Sequence, residues 1–140
     1  LQLSEVMDLA IEVGGTEHGF RFIQLPFNLM FDQAYLTKNH NVNGKTISFL
    51  EAAQTFNLGI FTSVPLLQGK LLTANVMPEF GDYSTSVRHL QFIRSTPGVT
   101  APLIGQKSEA HVTENMQVMK IPPLSELEFN NILKKMVNRN

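Results

Sequence analysis

The feature that most constrains the fold is a threefold alternation of short apolar segments with helical patterns. Residues 20–25, 58–64 and 99–104 each resemble a strand in length and composition, and each is followed directly by proline or glycine. A helical pattern comes next in every case. This alternation is typical of parallel βα units. Three units are too few for a closed eight-stranded barrel of about 250 residues, so the pattern fits either a small open α/β sheet or part of a barrel.

Helical periodicity and end signals outline the elements between the strands. The Gly14-Gly15 pair ends the first helix, and Ser125 with Glu128 forms a capping box that begins the last one. We predict helices over residues 3–11, 46–56, 87–94, 108–118 and 125–136.

Two stretches lack periodicity and are predicted to be loops. Residues 38–44 are polar, and residues 65–83 contain scattered glycine and proline. A loop as long as the second is more often functional than idle. We therefore expect part of a binding site in it.

Composition excludes several classes of function. The formal net charge is -1 and charged residues make up 16%, so electrostatics favours neither nucleic acid nor an anionic membrane as a partner. No apolar run approaches the roughly 18 residues of a membrane span, and the first residues lack the pattern of a signal peptide. We therefore expect a cytoplasmic protein. Because residue 1 is Leu rather than Met, we also expect a processed chain or a fragment of a longer one.

Cysteine and histidine content limits the chemistry further. With no cysteine, disulfides, thiolate nucleophiles and cysteine metal sites are excluded. The four histidines, at positions 18, 40, 89 and 111, have no metal-ligand spacing. We therefore predict no metal site.

Four segments, in order, carry a resemblance to a known family. Residues 22–29 read FIQLPFNL, residues 65–71 read PLLQGKL, residues 90–99 read LQFIRSTPGV, and residues 103–108 (LIGQKS) lead to Glu114-Asn115. Together they resemble the sixth strand, the segment after the seventh strand, the helix before the eighth strand and the cofactor signature of aldo/keto reductases. The resemblance covers about residues 1–133. It implies that residues 1–140 form a single domain, the carboxyl-terminal half of a TIM (β/α)8 barrel with about three parallel βα units and flanking helices.

The resemblance also implies a cofactor site. In barrel enzymes the site lies at the carboxyl ends of the strands, often with a phosphate held after strands seven and eight. Gln24 is expected at the nicotinamide carboxamide, Lys107 at an anionic group such as the 2′-phosphate of NADP, and Glu114 with Asn115 at the adenine. The implied cofactor-binding residues are Gln24, Ser63, Pro65, Leu66, Gly69, Gly105, Lys107, His111, Glu114 and Asn115.

Each assignment has a simpler structural alternative. Gln24 could cap a strand end, Gly69 and Gly105 could serve only as turn glycines, and Lys107 could be a solvated surface residue. Two positions also depart from the family pattern. Ser63 stands where many members have a tyrosine that stacks on the nicotinamide. His111 stands where many have arginine or glutamine, which leaves NAD possible beside NADP.

The family's catalytic aspartate, tyrosine, lysine and histidine belong to the first half of the barrel. Neither Tyr35 nor Tyr83 is at a matching position, so we predict no catalytic residue in this chain. The resemblance implies an NADP-dependent oxidoreductase that reduces aldehyde or ketone carbonyls, to which the chain contributes the cofactor-binding half. The alternative is an inactive truncated reductase that acts as a nucleotide-binding or assembly module. Because half a barrel would expose strand edges, we expect pairing with the missing half or self-association.

Overall fold

The structure, a computed structural model, describes residues 1–137. Its α/β fold is built on a parallel three-stranded sheet with helices on one side, as the sequence predicted. The helices are α1 (Leu3–Gly14), α2 (Gln33–Leu36), α3 (Phe49–Thr55), α4 (Lys70–Thr73), α5 (Thr85–Arg94), α6 (Glu109–Asn115) and α7 (Glu126–Val137). The strands are β1 (Phe22–Pro26), β2 (Lys38–Val42), β3 (Lys45–Ser48), β4 (Gly59–Ser63) and β5 (Ala101–Pro102).

The sheet has the order β1-β4-β5. Its first two strands pair in parallel from Phe22 opposite Gly59 to Pro26 opposite Ser63. The third strand is shorter than the predicted segment 99–104, because Pro102 has no N–H to donate to a ladder. Among the described residues, β1 and β5 each pair along one edge only.

The two faces of this sheet differ because side chains alternate along a strand. Ile60 and Thr62 of β4 are fully buried, and Ile60 belongs to the main hydrophobic core. On the opposite face, Phe22 is 62% exposed and its ring lies 5.7 Å from that of Phe61. One face therefore packs beneath the helices, and the other is open.

The segment after β1 differs from the prediction. Instead of a loop over residues 38–44, strands β2 and β3 form an antiparallel hairpin. Its turn contains Asn43 (φ 50°) and Gly44 (φ 74°). Asn-Gly is a strong hairpin signal because both residues readily adopt positive φ, and it was missed in the sequence.

The next helix begins at Phe49 rather than Thr46. Ser48 and Glu51 form a capping box, in which Ser48 N donates to Glu51 Oε2 at 2.7 Å and Glu51 N donates to Ser48 Oγ at 3.3 Å. The pairing lowers the pKa of Glu51. The S-x-x-E pattern of residues 48–51 is visible in the sequence and could have indicated that this helix begins after Ser48.

Several predicted helix ends are confirmed. The first helix ends at Gly14, and Gly15 follows with a φ of 71°. At the last helix, Ser125 N donates to Glu128 Oε2 at 2.8 Å and Glu128 N to Ser125 Oγ at 3.3 Å. The helix predicted over residues 108–118 instead ends at Asn115 and continues as a 3-10 segment, Met116–Lys120. Such tightening is common at helix ends.

Polar contacts hold α5 against the segment that precedes α7. Gln91 Nε2 donates to Pro122 O at 2.6 Å, and Arg94 donates to the carbonyl of Ile121. Burial lowers the pKa of Arg94. These contacts fix α5, whose amino end borders the candidate site. No helix among the described residues is long and apolar enough to cross a membrane.

Candidate functional site

A cavity of about 920 Å³ lies beyond the carboxyl ends of β4 and β5. The loop after β4 forms one wall, the beginning of α5 a second, and the loop after β5 with α6 a third. Its lining residues are Val64, Pro65, Leu66, Gln68, Gly69, Leu72, Ser84, Thr85, Ser86, Arg88, Leu103, Ile104, Gly105, Lys107, His111, Glu114 and Asn115. The volume lies at the upper end of the usual range for ligand pockets.

Eight of the ten residues predicted for the cofactor site line this cavity. The eight are Pro65, Leu66, Gly69, Gly105, Lys107, His111, Glu114 and Asn115. The other two, Gln24 and Ser63, lie on β1 and β4 within the sheet. Their registers place them on the open face, with Gln24 opposite Phe61 and Ser63 opposite Pro26.

The loop after β4 has an unusual backbone. Val64 (φ 50°), Leu67 (φ 48°) and Gln68 (φ 56°) all have positive φ, as does Gly69 (φ 88°). For a β-branched residue such as Val64 this is a genuine outlier, and such strain clusters at functional sites. The prediction of a loop over residues 65–83 is wrong for its first part, which contains the short 3-10 segment Leu67–Gly69 and the helix α4.

The beginning of α5 contributes residues that the sequence analysis missed. Ser84 caps the helix, since its Oγ accepts from Val87 N at 3.4 Å. Arg88, one turn in, has a side chain that is only 14% exposed. Its Nη2 donates to Thr85 Oγ1 at 3.4 Å, and its Nη1 lies 3.9 Å from Glu79 Oε1. The buried Nε has no partner. A serine and threonine run before a helical pattern was the available signal.

The third wall contains the predicted signature residues. Lys107 and His111 are exposed, whereas Glu114 is half-buried. Ser108 caps α6, since its Oγ accepts from His111 N at 3.3 Å. Asn115 is buried, and its Oδ1 accepts from Ser86 Oγ at 2.5 Å. Asn115 therefore joins α6 to α5 as well as lining the cavity.

Charge around the cavity favours an anion. The lining contains two cationic residues, Arg88 and Lys107, and one acidic residue, Glu114. Glycine at positions 69 and 105 leaves the backbone accessible, and no atom lies within 4 Å of where a Cβ would stand. No group of three or more possible metal ligands occurs among residues 1–137. The arrangement can hold a ligand that has both an apolar part and an anionic group.

His89, next to Arg88 on α5, is fully buried. Neither ring nitrogen has a partner of normal hydrogen-bond geometry. Burial lowers the pKa of His89 to about 4, and a weaker contact with the Leu71 backbone opposes that shift only in part. The imidazole is therefore neutral at pH 7. Neither Tyr35 nor Tyr83 lines the cavity, and burial raises the pKa of Tyr35.

Comparison with known proteins supports the fold. No family model matches the sequence, and no curated protein sequence matches it. Among solved structures, the chain is similar to the holo form of the aldo-keto reductase AKR11C1 from Bacillus halodurans, with a TM-score of 0.61 and 16% sequence identity. The match covers 92% of this chain and 46% of that reductase. The chain thus has the fold of part of an aldo-keto reductase TIM barrel, and spans about half the length of its structural neighbour.

Proposed function

We propose that this chain, as a single domain, is the NADP-binding half of an aldo/keto reductase, an oxidoreductase that reduces aldehyde or ketone carbonyls. One observation carries the proposal: a single cavity is lined by residues of the segment 65–71 and by both parts of the cofactor signature, residues 103–108 and Glu114-Asn115. These segments are separated by about forty residues in the sequence. Their convergence at the carboxyl ends of parallel strands is what the barrel fold requires for a site.

The lining chemistry fits the adenosine part of a dinucleotide. Arg88 and Lys107 supply positive charge for a phosphate. Leu66, Leu72 and Ile104 supply apolar surface for a base, and the amide of Asn115 supplies polar selectivity. Two cationic residues favour NADP over NAD, because NADP carries a 2′-phosphate that NAD lacks. His111 stands where many members of the family have arginine or glutamine, so NAD remains possible. Gln24 and Ser63 are proposed for the nicotinamide end, on the open face of the sheet.

When bound, the reduced nicotinamide would supply the hydride. This chain's part in that reaction is to hold and orient the cofactor, because neither Tyr35 nor Tyr83 is at the position of the catalytic tyrosine in the family that the sequence resembles. The general acid that protonates the carbonyl oxygen is proposed to come from the remainder of the barrel. We propose that this remainder covers the open sheet face, since the matching reductase is about twice as long as the chain.

The alternative is a nucleotide-binding or assembly module without reductase activity. It is favoured over an enzyme formed by these residues alone because neither Tyr35 nor Tyr83 is at the position of the family's catalytic tyrosine. The two alternatives predict the same cofactor binding but different catalysis.

Titration of the protein with NADPH, followed by nicotinamide fluorescence, tests the shared part of both alternatives. We expect binding, and we expect Lys107→Met to raise the dissociation constant about tenfold, the effect of losing one charge-assisted hydrogen bond. Lys45→Met is the matched control, because Lys45 is an exposed lysine on the β2–β3 hairpin, outside the cavity. No binding at millimolar NADPH would reject the proposed function.

An assay of carbonyl reduction then separates the alternatives. NADPH oxidation in the presence of an aldehyde, with the assembled barrel, supports the reductase. Binding without turnover in that assembled protein supports the module.

A further inference from the structure

We infer that Asn28 is a positioning residue for the cavity: its side-chain amide holds Val64 in its strained conformation and so places the loop that forms one wall. The inference rests on the proposed function only for the identity of the ligand. The contact between Asn28 and Val64 is seen without any ligand. Asn28 itself does not line the cavity.

The β1–β4 ladder leads directly to this contact. The last paired residues are Pro26 and Ser63, and Phe27 N then donates to Ser63 O at 3.2 Å. One residue further, the backbone of β1 has turned away. Asn28 Nδ2 donates to Val64 O at 2.9 Å instead. A side-chain amide thus continues the ladder where the backbone N–H no longer can.

Asn28 can do this because its other end is fixed. It is 1% exposed, and its Oδ1 accepts from Met30 N at 2.8 Å and from Phe31 N at 3.1 Å. Both ends of the amide are therefore engaged, one in the turn after β1 and the other in the turn after β4. The orientation of the amide is determined, because only nitrogen can donate to Val64.

The contact acts on a strained residue. Val64 has a φ of 50°, which a β-branched residue adopts only when its surroundings impose it. Val64 O also accepts from Leu67 N at 3.0 Å, which closes the turn over Pro65 and Leu66. Both of these residues line the cavity. Release of Val64 would let its φ return to negative values and would move the wall.

The replacement Asn28→Asp, measured at a pH where the carboxyl is ionised, removes the donor to Val64, because a carboxylate keeps an oxygen that accepts from Met30 and Phe31 but cannot donate. We expect hydrogen exchange at the Leu67 amide to become about tenfold faster and the NADPH dissociation constant to rise about tenfold. Asn43→Asp is the control. It makes the same chemical change in the exposed hairpin turn, where Asp-Gly is as suitable as Asn-Gly.

Val64→Gly distinguishes positioning from general stabilisation. Glycine reaches positive φ without strain, so in its presence Asn28→Asp should raise the dissociation constant by about threefold or less. The inference would be overturned if Asn28→Asp raised the NADPH dissociation constant equally in the unmodified and the Val64→Gly proteins. It would also be overturned if Asn28→Asp lowered the melting temperature but left Leu67 exchange and NADPH binding unchanged. If the unmodified protein binds no NADPH, the proposed function fails. Hydrogen exchange at Leu67 in the unmodified protein, the Asn28→Asp and Val64→Gly variants and the double variant still decides the role of Asn28.

Discussion

The two faces of the three-stranded sheet show how one set of strands serves two purposes. On the covered face Ile60 and Thr62 are both at 0% exposure, and Ile60 belongs to the core that the sheet shares with the helices. The open face presents Phe22, at 62% exposure, together with Gln24 and Ser63. The cavity lies beyond the carboxyl ends of the same strands. We therefore expect stability and binding to be separable, because the residues that pack in the core and those that stay accessible lie on opposite faces.

The largest expected effect is on the covered face. Ile60→Ala should lower the free energy of unfolding by about 3 kcal/mol, because it removes buried methyl groups and leaves a space that the core cannot fill. Urea denaturation measures this change. A loss below about 1 kcal/mol would show that the face is less tightly packed than its burial indicates.

The helix layer should also make stability depend on pH through His89. Its folded pKa is about 4, below the ordinary value of about 6.5. The unfolded chain therefore takes up a proton first. Stability from this residue is complete above about pH 6.5 and is lost as the pH falls towards 4, by up to about 3 kcal/mol.

His89→Leu is the comparison variant, since leucine cannot titrate. Relative to His89→Leu, the unfolding free energy of the unmodified protein should fall by up to about 3 kcal/mol between pH 7 and pH 4. The lowered pKa of His40 acts in the same direction, but it is common to both proteins. Parallel pH curves would mean that the ring of His89 is hydrated rather than buried.

At the cavity, Arg88→Met should weaken NADPH binding about tenfold and NADH binding much less. The reason is that Arg88 is one of the two cationic residues in the lining, where it could pair with the 2′-phosphate that NADH lacks. Glu79→Gln should have a smaller and opposite effect, since the side chain of Glu79 is 93% exposed and its Oε1 lies 3.9 Å from Arg88 Nη1. Titration of the three proteins with both cofactors measures the difference. Equal weakening for NADH and NADPH would assign Arg88 to packing.

The smallest effect on stability is expected on the open face. Phe22→Ser should change the free energy of unfolding by less than about 1 kcal/mol, because the ring is largely exposed already. It should, however, weaken any self-association or binding of the remaining barrel half. Sedimentation velocity at micromolar concentration measures this. A large loss of stability would show that the faces are not independent.

Whether an element could be predicted from the sequence depended on how far apart in the chain the residues that stabilise it are. Strand β4 and helix α5 were predicted because their apolar patterns are local. The β2–β3 hairpin was missed although Asn43-Gly44 signals it, because the polar strand residues around it resemble a loop. The length of β5 depended on Pro102 and its partner strand. Pattern reasoning does not include such pairing.

The residues of the candidate site also fall into two groups, those that belong to a local motif and those that packing brings to the site. Lys107 and Glu114 were found because they belong to one short motif, together with Gly105. Arg88 was not found, since its place in the lining depends on how α5 packs against its neighbours. The hydrogen bond from Asn28 to Val64 joins residues 36 positions apart. No local pattern could have indicated it.

The α/β class and the approximate positions of most elements were predictable from periodicity and capping, which are properties of neighbouring residues. Eight of the residues that line the cavity were named only through the resemblance to aldo/keto reductases. The positions of Gln24 and Ser63 on the open face, the place of Arg88 in the cavity wall and the strain at Val64 became apparent only in the folded structure. The physical reason is that register, packing and backbone strain arise between distant segments once the core has formed.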